Sequence, residues 1–236
     1  MIKKYNLWKE LRYNESYNSN LLDNYYLFKN ISDTDQKKLR SKKYVYGFID
    51  DGVYNHLDGK NISGFNELIL KDFKDFSGLS IKYIRYNSLS KLLKDFNSNK
   101  VDFAMNIADS SKYNENIYTT TGVFNKKLVI VTGNSNKDII DSIYSLKDKE
   151  VLTIKNSDLE KYLTDNNIKV VSYSNMKDLI TDFKDDKVVL IDIENYNYYK
   201  SSALKDSKIS YILDSNEKYN YVINNTDNNS IFKDLF

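Results

Sequence analysis

Asp192 ends the apolar run Val188-Val-Leu-Ile191. A carboxylate placed there can accept hydrogen bonds from a ligand ammonium; read as an ordinary solvated rim carboxylate, it needs no ligand. Ser157, with Glu160 three residues on, reads as a capping box. Such a helix start offers backbone N–H groups and a positive dipole end, which suit a carboxylate or phosphate. Asp158 beside it partly repels an anion, and an ordinary cap is the alternative. The adjacent pairs Asp50-Asp51 and Asp185-Asp186 read as solvated turns. No acidic calcium-loop spacing and no Gly-rich phosphate loop occurs in a chain with 7 glycines. His56 is the only histidine. No strand–nucleophile–helix elbow accompanies it, and it reads as part of a surface hairpin turning at Asp58-Gly59. No catalytic residue, metal site or cofactor is expected.

Two matching sets of elements are needed to position these residues. The first runs Tyr44–Ile49 (strand), Phe65–Phe76 (helix), Ile81–Arg85 (strand), Leu89–Phe96 (helix) and Val101–Ala104 (strand). The second runs Val151–Ile154, Leu159–Leu163, Ile168–Val171, Met176–Phe183 and Val188–Ile191 in the same order. Leu89, Leu92, Leu93 and Phe96 recur at i, i+3, i+4, i+7, as do Met176, Leu179, Ile180 and Phe183, which lines one helix face each time. Phe65, Leu68, Ile69, Phe73 and Phe76 predict a third such face. Asn175 is a good cap before Met176. Each β-α-β-α-β set implies a parallel sheet covered by helices.

Ligands of open parallel sheets bind outside the carboxyl ends of the strands. That rule selects Asp50, Asp51 and Tyr54, Tyr86–Ser88 and Met105–Asp109 in the first set. It selects Lys155–Asp158, Ser172–Asn175 and Asp192–Asn195 in the second. Thr121–Gly133, with Leu128-Val-Ile-Val131, predicts one long strand passing between the lobes. Tyr219–Ile223 predicts a returning strand and Ser230–Phe236 a last helix, so that two crossings make a hinge. Residues 1–41 fit neither set. Their aromatics, including Tyr5, Trp8, Tyr13 and Tyr17, and a capped stretch Ser32–Arg40 predict a partly helical extension on the first lobe.

Composition narrows the classes of function. The 236 residues are 41% hydrophobic and 29% charged, with a formal net charge of +2, enough for a packed core. No basic stripe points to nucleic acid, and no apolar run approaches the roughly 20 residues of a membrane span. The polar start Met1–Leu11 is not a secretory signal, so the chain reads as cytosolic or as a segment of a longer exported protein. Cysteine is absent, which excludes disulfides and thiolate chemistry. The 21 tyrosines could line a site, although an AT-rich coding bias accounts for them as well.

Five stretches in order resemble family 3 extracytoplasmic solute-binding proteins. They are Tyr44-Val-Tyr-Gly-Phe-Ile49, Asp58-Gly-Lys-Asn-Ile-Ser-Gly-Phe65, the segment LLKDFNSNKVDF from Leu92 to Phe103, Tyr118-Thr119, and Val188–Asp192. The resemblance covers Tyr44 to Phe236. It implies an α/β, two-lobed type II periplasmic-binding-protein fold, each lobe a mainly parallel sheet flanked by helices, with two hinge crossovers. The implied lobes are residues 42–123 plus 215–236, and residues 124–214. A small solute, often an amino acid, would be clamped between them, on a site drawn from Asp50, Tyr54, Asn106, Ala108, Asp109, Tyr113, Asn156, Ser157, Asp158 and Asp192.

The sequence departs from the family pattern at three points. Tyr113 stands where amino-acid binders carry a carboxylate-gripping Arg. Asn156-Ser157-Asp158 replaces the usual small-residue triplet, and Val53-Tyr54 lacks the usual prolines. Asp192 alone matches the amine-binding position, which favours an amine, cationic, peptide-like or aromatic-stacked solute over an ordinary L-amino acid. Asn30–Tyr46 resembles the linker before such modules in membrane-bound sensor kinases and cyclic-di-GMP signalling proteins. Together with an ending at Phe236 that cuts short the family's last helix, this implies an extracytoplasmic sensor domain, membrane-anchored only through segments outside this chain, with a homodimer as a possible assembly. The alternatives are a free solute-binding protein of an ABC transporter and a non-binding interaction or dimerisation module on the same fold. An enzyme such as a dehydratase is disfavoured by the missing Arg and the isolated His56.

Overall fold

The computed structural model describes residues 15–59, 61–213 and 218–236, with side chains from residue 20 onward. Two helices, α1 (Glu15–Phe28) and α2 (Asp33–Ser41), come first. The Ser32 hydroxyl caps α2 by accepting from the Asp35 N–H at 3.1 Å, and Leu22, Tyr26 and Leu39 are buried in the core of the first lobe. Tyr5, Trp8 and Tyr13, and the side chain of Tyr17, lie outside the described residues.

β1 (Lys43–Ile49) is followed by a hairpin of β2 (His56–Asp58) and β3 (Asn61–Ser63), then α3 (Phe65–Ser77), β4 (Ser80–Tyr86), α4 (Leu89–Asn97), β5 (Phe103–Met105) and β6 (Ile117–Thr119). The chain crosses at β7 (Phe124–Asn125). It then builds β8 (Leu128–Gly133), β9 (Glu150–Ile154), α5 (Asp158–Asp165), β10 (Lys169–Tyr173), α6 (Met176–Asp182), β11 (Val188–Asp192), α7 (Ile193–Tyr199) and β12 (Ser207–Leu213). It returns through β13 (Lys218–Tyr219) to β14 (Tyr221–Asn224) and ends in α8 (Ser230–Leu235).

The two sheets have matching plans, β4-β1-β5-β14-β6 and β10-β9-β11-β8-β12. In each, the first three strands are parallel and the last two include antiparallel pairings. The reversal has a topological cause. β8 and β14 each enter their sheet directly from a crossing, without a covering helix to turn them round. The single long strand expected over Thr121–Gly133 is instead two pieces, β7 at the hinge and β8 in the second sheet, with β6 of the first sheet already ended at Thr119. The returning strand is likewise split into β13 and β14. At the hinge β7 and β13 pair antiparallel, Phe124 opposite Tyr219.

Helix faces follow the predicted spacing in α4 and α6. Leu89, Leu92, Leu93 and Phe96 are buried, as are Met176, Leu179 and Ile180. α3 keeps part of its predicted face, since Ile69, Phe73 and Phe76 pack against the core of the first lobe, but Phe65 and Leu68 do not. Leu68 is 61% exposed, while Asn66 and Ser77 are buried beside Leu70. The polar pair is tolerated because it is hydrogen-bonded. Asn66 accepts from the Tyr221 hydroxyl at 2.6 Å and donates to Asn55 at 3.2 Å, and the Ser77 hydroxyl donates to the Phe73 carbonyl at 2.6 Å.

Candidate functional site

The facing rims of the lobes meet over a cavity of about 80 Å³. From the first lobe the loop after β1 reaches in. Asp51 organises this loop, its Oδ1 accepting from the N–H groups of Val53, Tyr54 and Asn55 at 2.9, 2.7 and 3.1 Å. The start of α3 holds the loop from outside, with the Phe65 and Asn66 N–H groups donating to the carbonyls of Val53 and Tyr54. Behind it, Asn55 accepts from the Tyr46 hydroxyl at 3.0 Å. This buried network fixes the direction of Tyr54, whose ring packs at 4.9 Å from Tyr219 and 6.1 Å from Phe124.

From the second lobe comes Asp192, the last residue of β11 and the cap of α7. It is 8% exposed and accepts from the Asn195 N–H at 2.8 Å and the Asn195 side-chain amide at 2.7 Å. The Tyr54 hydroxyl donates to it across the cleft at 3.0 Å. Burial raises the Asp192 carboxyl above its ordinary value, although these donors and the charge of Lys126 act against the shift. Burial likewise pushes Asp51 up to about 7. The reading of Asp50-Asp51 as solvated turn residues therefore fails for Asp51, which faces the cavity.

A second set of contacts closes the rim. Ala108 and Ser157 form an antiparallel bridge. The Asp109 N–H donates to the Asn156 carbonyl at 3.0 Å, the Asp158 N–H to the Ile107 carbonyl at 3.3 Å, and the Asn156 amide to the Ser90 hydroxyl at 2.9 Å. At the opposite side the Tyr199 hydroxyl donates to the Asp51 carbonyl at 3.1 Å.

The helix start at Ser157 is not open to an anion in this closed form. The N–H groups of Ser157 to Glu160 donate, in order, to the Ile154 carbonyl, the Ile107 carbonyl, the Asp158 carboxylate and the Ser157 hydroxyl. The capping box is also displaced by one residue, since the Glu160 carboxylate accepts from the Asn156 N–H at 2.6 Å.

Of the site residues drawn from the resemblance, Tyr54, Ser157, Asp158 and Asp192 line the cavity, as do Asp51 and Asn195 from the strand-end rule. Ala108, Asp109 and Asn156 form the rim clasp instead. Asp50 points elsewhere, to His56 at 3.2 Å and Arg85 at 3.3 Å, and His56 sits in the β2–β3 hairpin. Tyr113 packs edge-on against Phe96 at 5.4 Å within the first lobe. The backbone of Asn106 donates to the Asn220 carbonyl at 2.9 Å.

Sequence reasoning missed Lys126 and Tyr219, both of which line the cavity. Lys126 and Tyr219 belong to the crossings, which had been assigned only a connecting role. The Lys126 ammonium pairs with Asp158. Asn195 Oδ1 and the Tyr219 hydroxyl are buried without a hydrogen-bond partner, leaving an acceptor and a hydroxyl at the cavity. Among the described residues no group of three or more His, Asp or Glu could hold a metal, and no helix is long and apolar enough to cross a membrane.

No protein-family model matches the chain, and no curated protein matches it in sequence. Solved structures do match in shape. The arginine-bound form of truncated ArgBP from T. maritima is 16% identical, with 86% of this chain and 96% of that one covered at a TM-score of 0.70. The GluR0 ligand-binding core from Nostoc punctiforme in complex with L-glutamate is 21% identical, covering 81% and 88% at 0.66. A double mutant of the BvgS VFT2 domain from Bordetella pertussis is 16% identical, covering 86% and 89% at 0.71. The likeness, with the two matching sheets and the paired crossings, defines a two-lobed type II periplasmic-binding-protein fold.

Proposed function

We propose that this chain is a Venus-flytrap sensor domain that closes its two lobes on a small amine-bearing solute. The observation that carries the reading is the Tyr54–Asp192 hydrogen bond, which joins the lobes over a cavity bordered by Asp51, Asp158 and Asp192 and by the Tyr219 ring. Carboxylates beside an aromatic face suit a cation, and no arginine lines the cavity to grip a carboxylate. The working unit is two lobes, residues 42–123 plus 215–236 and residues 124–214, with residues 1–41 as an extension. Its setting is the extracytoplasmic side of a membrane-anchored receptor of kinase or cyclic-di-GMP type. The shape shared with the BvgS VFT2 domain supports that setting, as does the sequence likeness of Asn30–Tyr46. Solute binding would shift a population of open and closed states, and so signal.

A thermal-shift screen of amino acids, polyamines and short peptides tests the reading. A true solute raises the melting temperature in a concentration-dependent way, and Asp192→Ala abolishes the rise. A screen without a hit, confirmed by calorimetry, removes the solute-binding role.

One observation favours a second reading, a non-binding module held shut. The cavity of about 80 Å³ is well below the roughly 300–1,000 Å³ of drug-sized ligand pockets, and the rim clasp is made by backbone groups of the chain itself. Sedimentation would then show self-association, and the screen would stay silent.

A further inference from the structure

The cavity between the lobes is lined by groups of two kinds. One kind accepts hydrogen bonds. Asp192 Oδ1 accepts twice, from the Asn195 N–H and the Tyr54 hydroxyl, and Oδ2 accepts once, from the Asn195 side-chain amide. A carboxylate has about four acceptor positions, so Oδ2 has one to spare. On the same amide, Asn195 Oδ1 is buried and has no partner among the described residues, and Asn195 as a whole is 3% exposed. Two adjacent acceptors beside the Tyr219 ring suit the N–H groups and the charge of a primary ammonium. The other kind is apolar. Ile49 and Ile107 of the first lobe and Ile154, Leu159 and Met176 of the second complete much of the wall.

Among the described residues nothing in the wall answers a carboxylate. No arginine lines it, its lysine, Lys126, is paired with Asp158, and the N–H groups at the start of α5 are spent within the chain. A second ammonium finds no charge either. Asp158 is met by Lys126, and burial pushes Asp51 up to about 7, so that below this value it holds a proton. Of the three carboxylates on the cavity, Asp192 alone is left for a cation. Size narrows the class further. A cavity of about 150 Å³ takes benzene, with six non-hydrogen atoms. In proportion, the cavity of about 80 Å³ takes roughly three or four, and glycine already has five. Resting on the cleft proposed above as the solute site, we infer that its solute is a short primary alkylammonium with no carboxylate and no second amine, of the size of n-propylammonium. Asp192 and Asn195 take the ammonium, and the isoleucines, Leu159 and Met176 take the alkyl chain.

Calorimetric titration of the unaltered chain, below the Asp51 value of about 7 and at constant ionic strength, tests this class. The compounds are n-alkylammonium chlorides from methyl to hexyl, with propanediamine and β-alanine as the propyl skeleton bearing a second amine or a carboxylate. Affinity should rise with chain length to n-propyl and fall again by n-hexyl. n-Propylammonium should bind at least about tenfold tighter than propanediamine or β-alanine, which enter more weakly. Leu159→Ala removes part of the apolar wall and should move the optimum to a longer chain, a change that a merely structural role would not produce. Should that variant fail to fold, the chain-length series on the unaltered chain decides alone. Equal or tighter binding of propanediamine, β-alanine or glycine, or an affinity indifferent to chain length, would overturn the inference and leave the solute-binding reading standing. Silence from every alkylammonium, amino acid, polyamine and peptide would remove both.

Discussion

The Tyr54 hydroxyl, on a loop of the first lobe, donates to Asp192 at the end of a second-lobe strand, 3.0 Å away and 138 residues on in sequence. Both groups are buried, so the bond is shielded from solvent and links the lobes directly. Tyr54→Phe keeps the ring packing against Tyr219 and removes this link together with the longer bond from the same hydroxyl to Glu194 at 3.3 Å. Hydrogen bonds to charged or buried groups are worth about 1–3 kcal/mol. We expect a stability loss in that range by urea denaturation, with the largest increase in amide exchange along the lobe–lobe rim.

Asp51 gives a pH signature. Burial pushes its carboxyl from 3.8 up to about 7, although three backbone N–H groups favour the charged form. Between pH 3.8 and about 7 the folded chain therefore holds a proton that the unfolded chain has released. Its contribution to stability is fully present below the lower value and is lost as pH rises through the upper one. Asp51→Asn keeps an amide oxygen for the three donors and removes the titration. The difference in stability between variant and parent, followed by urea midpoints, should therefore change in the variant's favour from pH 4 to pH 8. A flat difference would rule out this assignment.

Gly47 lies where β1 meets α4. A Cβ there would come within 2.6 Å of Leu92 Cδ1 and 2.9 Å of Val101 Cγ1. Gly47→Val overfills this contact, and overpacking typically costs about 1–3 kcal/mol. A lowered melting temperature is the expected result. Gly59, where nothing lies within 4 Å of the added carbon, is the control for crowding, although its positive φ carries a separate backbone cost.

Asn224 ties the last strand of the first sheet to the helix side of that lobe. Its buried side-chain amide donates to the carbonyls of Phe96 at 2.8 Å and Val101 at 2.7 Å. Asn224→Leu leaves the Val101 carbonyl without its donor, at about 1–3 kcal/mol, while the Phe96 carbonyl keeps the Asn99 N–H at 2.9 Å. We expect a loss of at least the smaller figure by chemical denaturation.

Repetition made much of the fold legible. The matched spacing of Leu89–Phe96 and Met176–Phe183, each followed by a polar turn and Lys-Val, marks two copies of one unit; the helices bury Leu89, Leu92, Leu93 and Phe96, and Met176, Leu179 and Ile180, while Phe183 ends the second helix and is partly buried. Caps were equally readable, because Ser157 and Asn175 act on the next turn of their own helix. What escaped depended on partners far along the chain. The burial of Asn66 on α3 rests on Tyr221 bonding it across 155 residues, and no local pattern announces that a helix will bury an Asn. The break of the crossing strand reflects a change of sheet, to which an apolar run is blind. At the site, the rule for strand ends found Tyr54, Ser157, Asp158 and Asp192 but passed over Lys126 and Tyr219, which stand on the crossings themselves.

The two crossings have a further consequence for how the chain is assembled. Every strand of the second sheet comes from one uninterrupted stretch, and its two ends lie side by side, Leu128 opposite Leu213. The first sheet has no such closure, since β6 joins β5 only through β14. A ribosome working from the amino end therefore delivers the complete later lobe while the earlier one still lacks its keystone strand, and the part of the protein made first is the last that can finish folding.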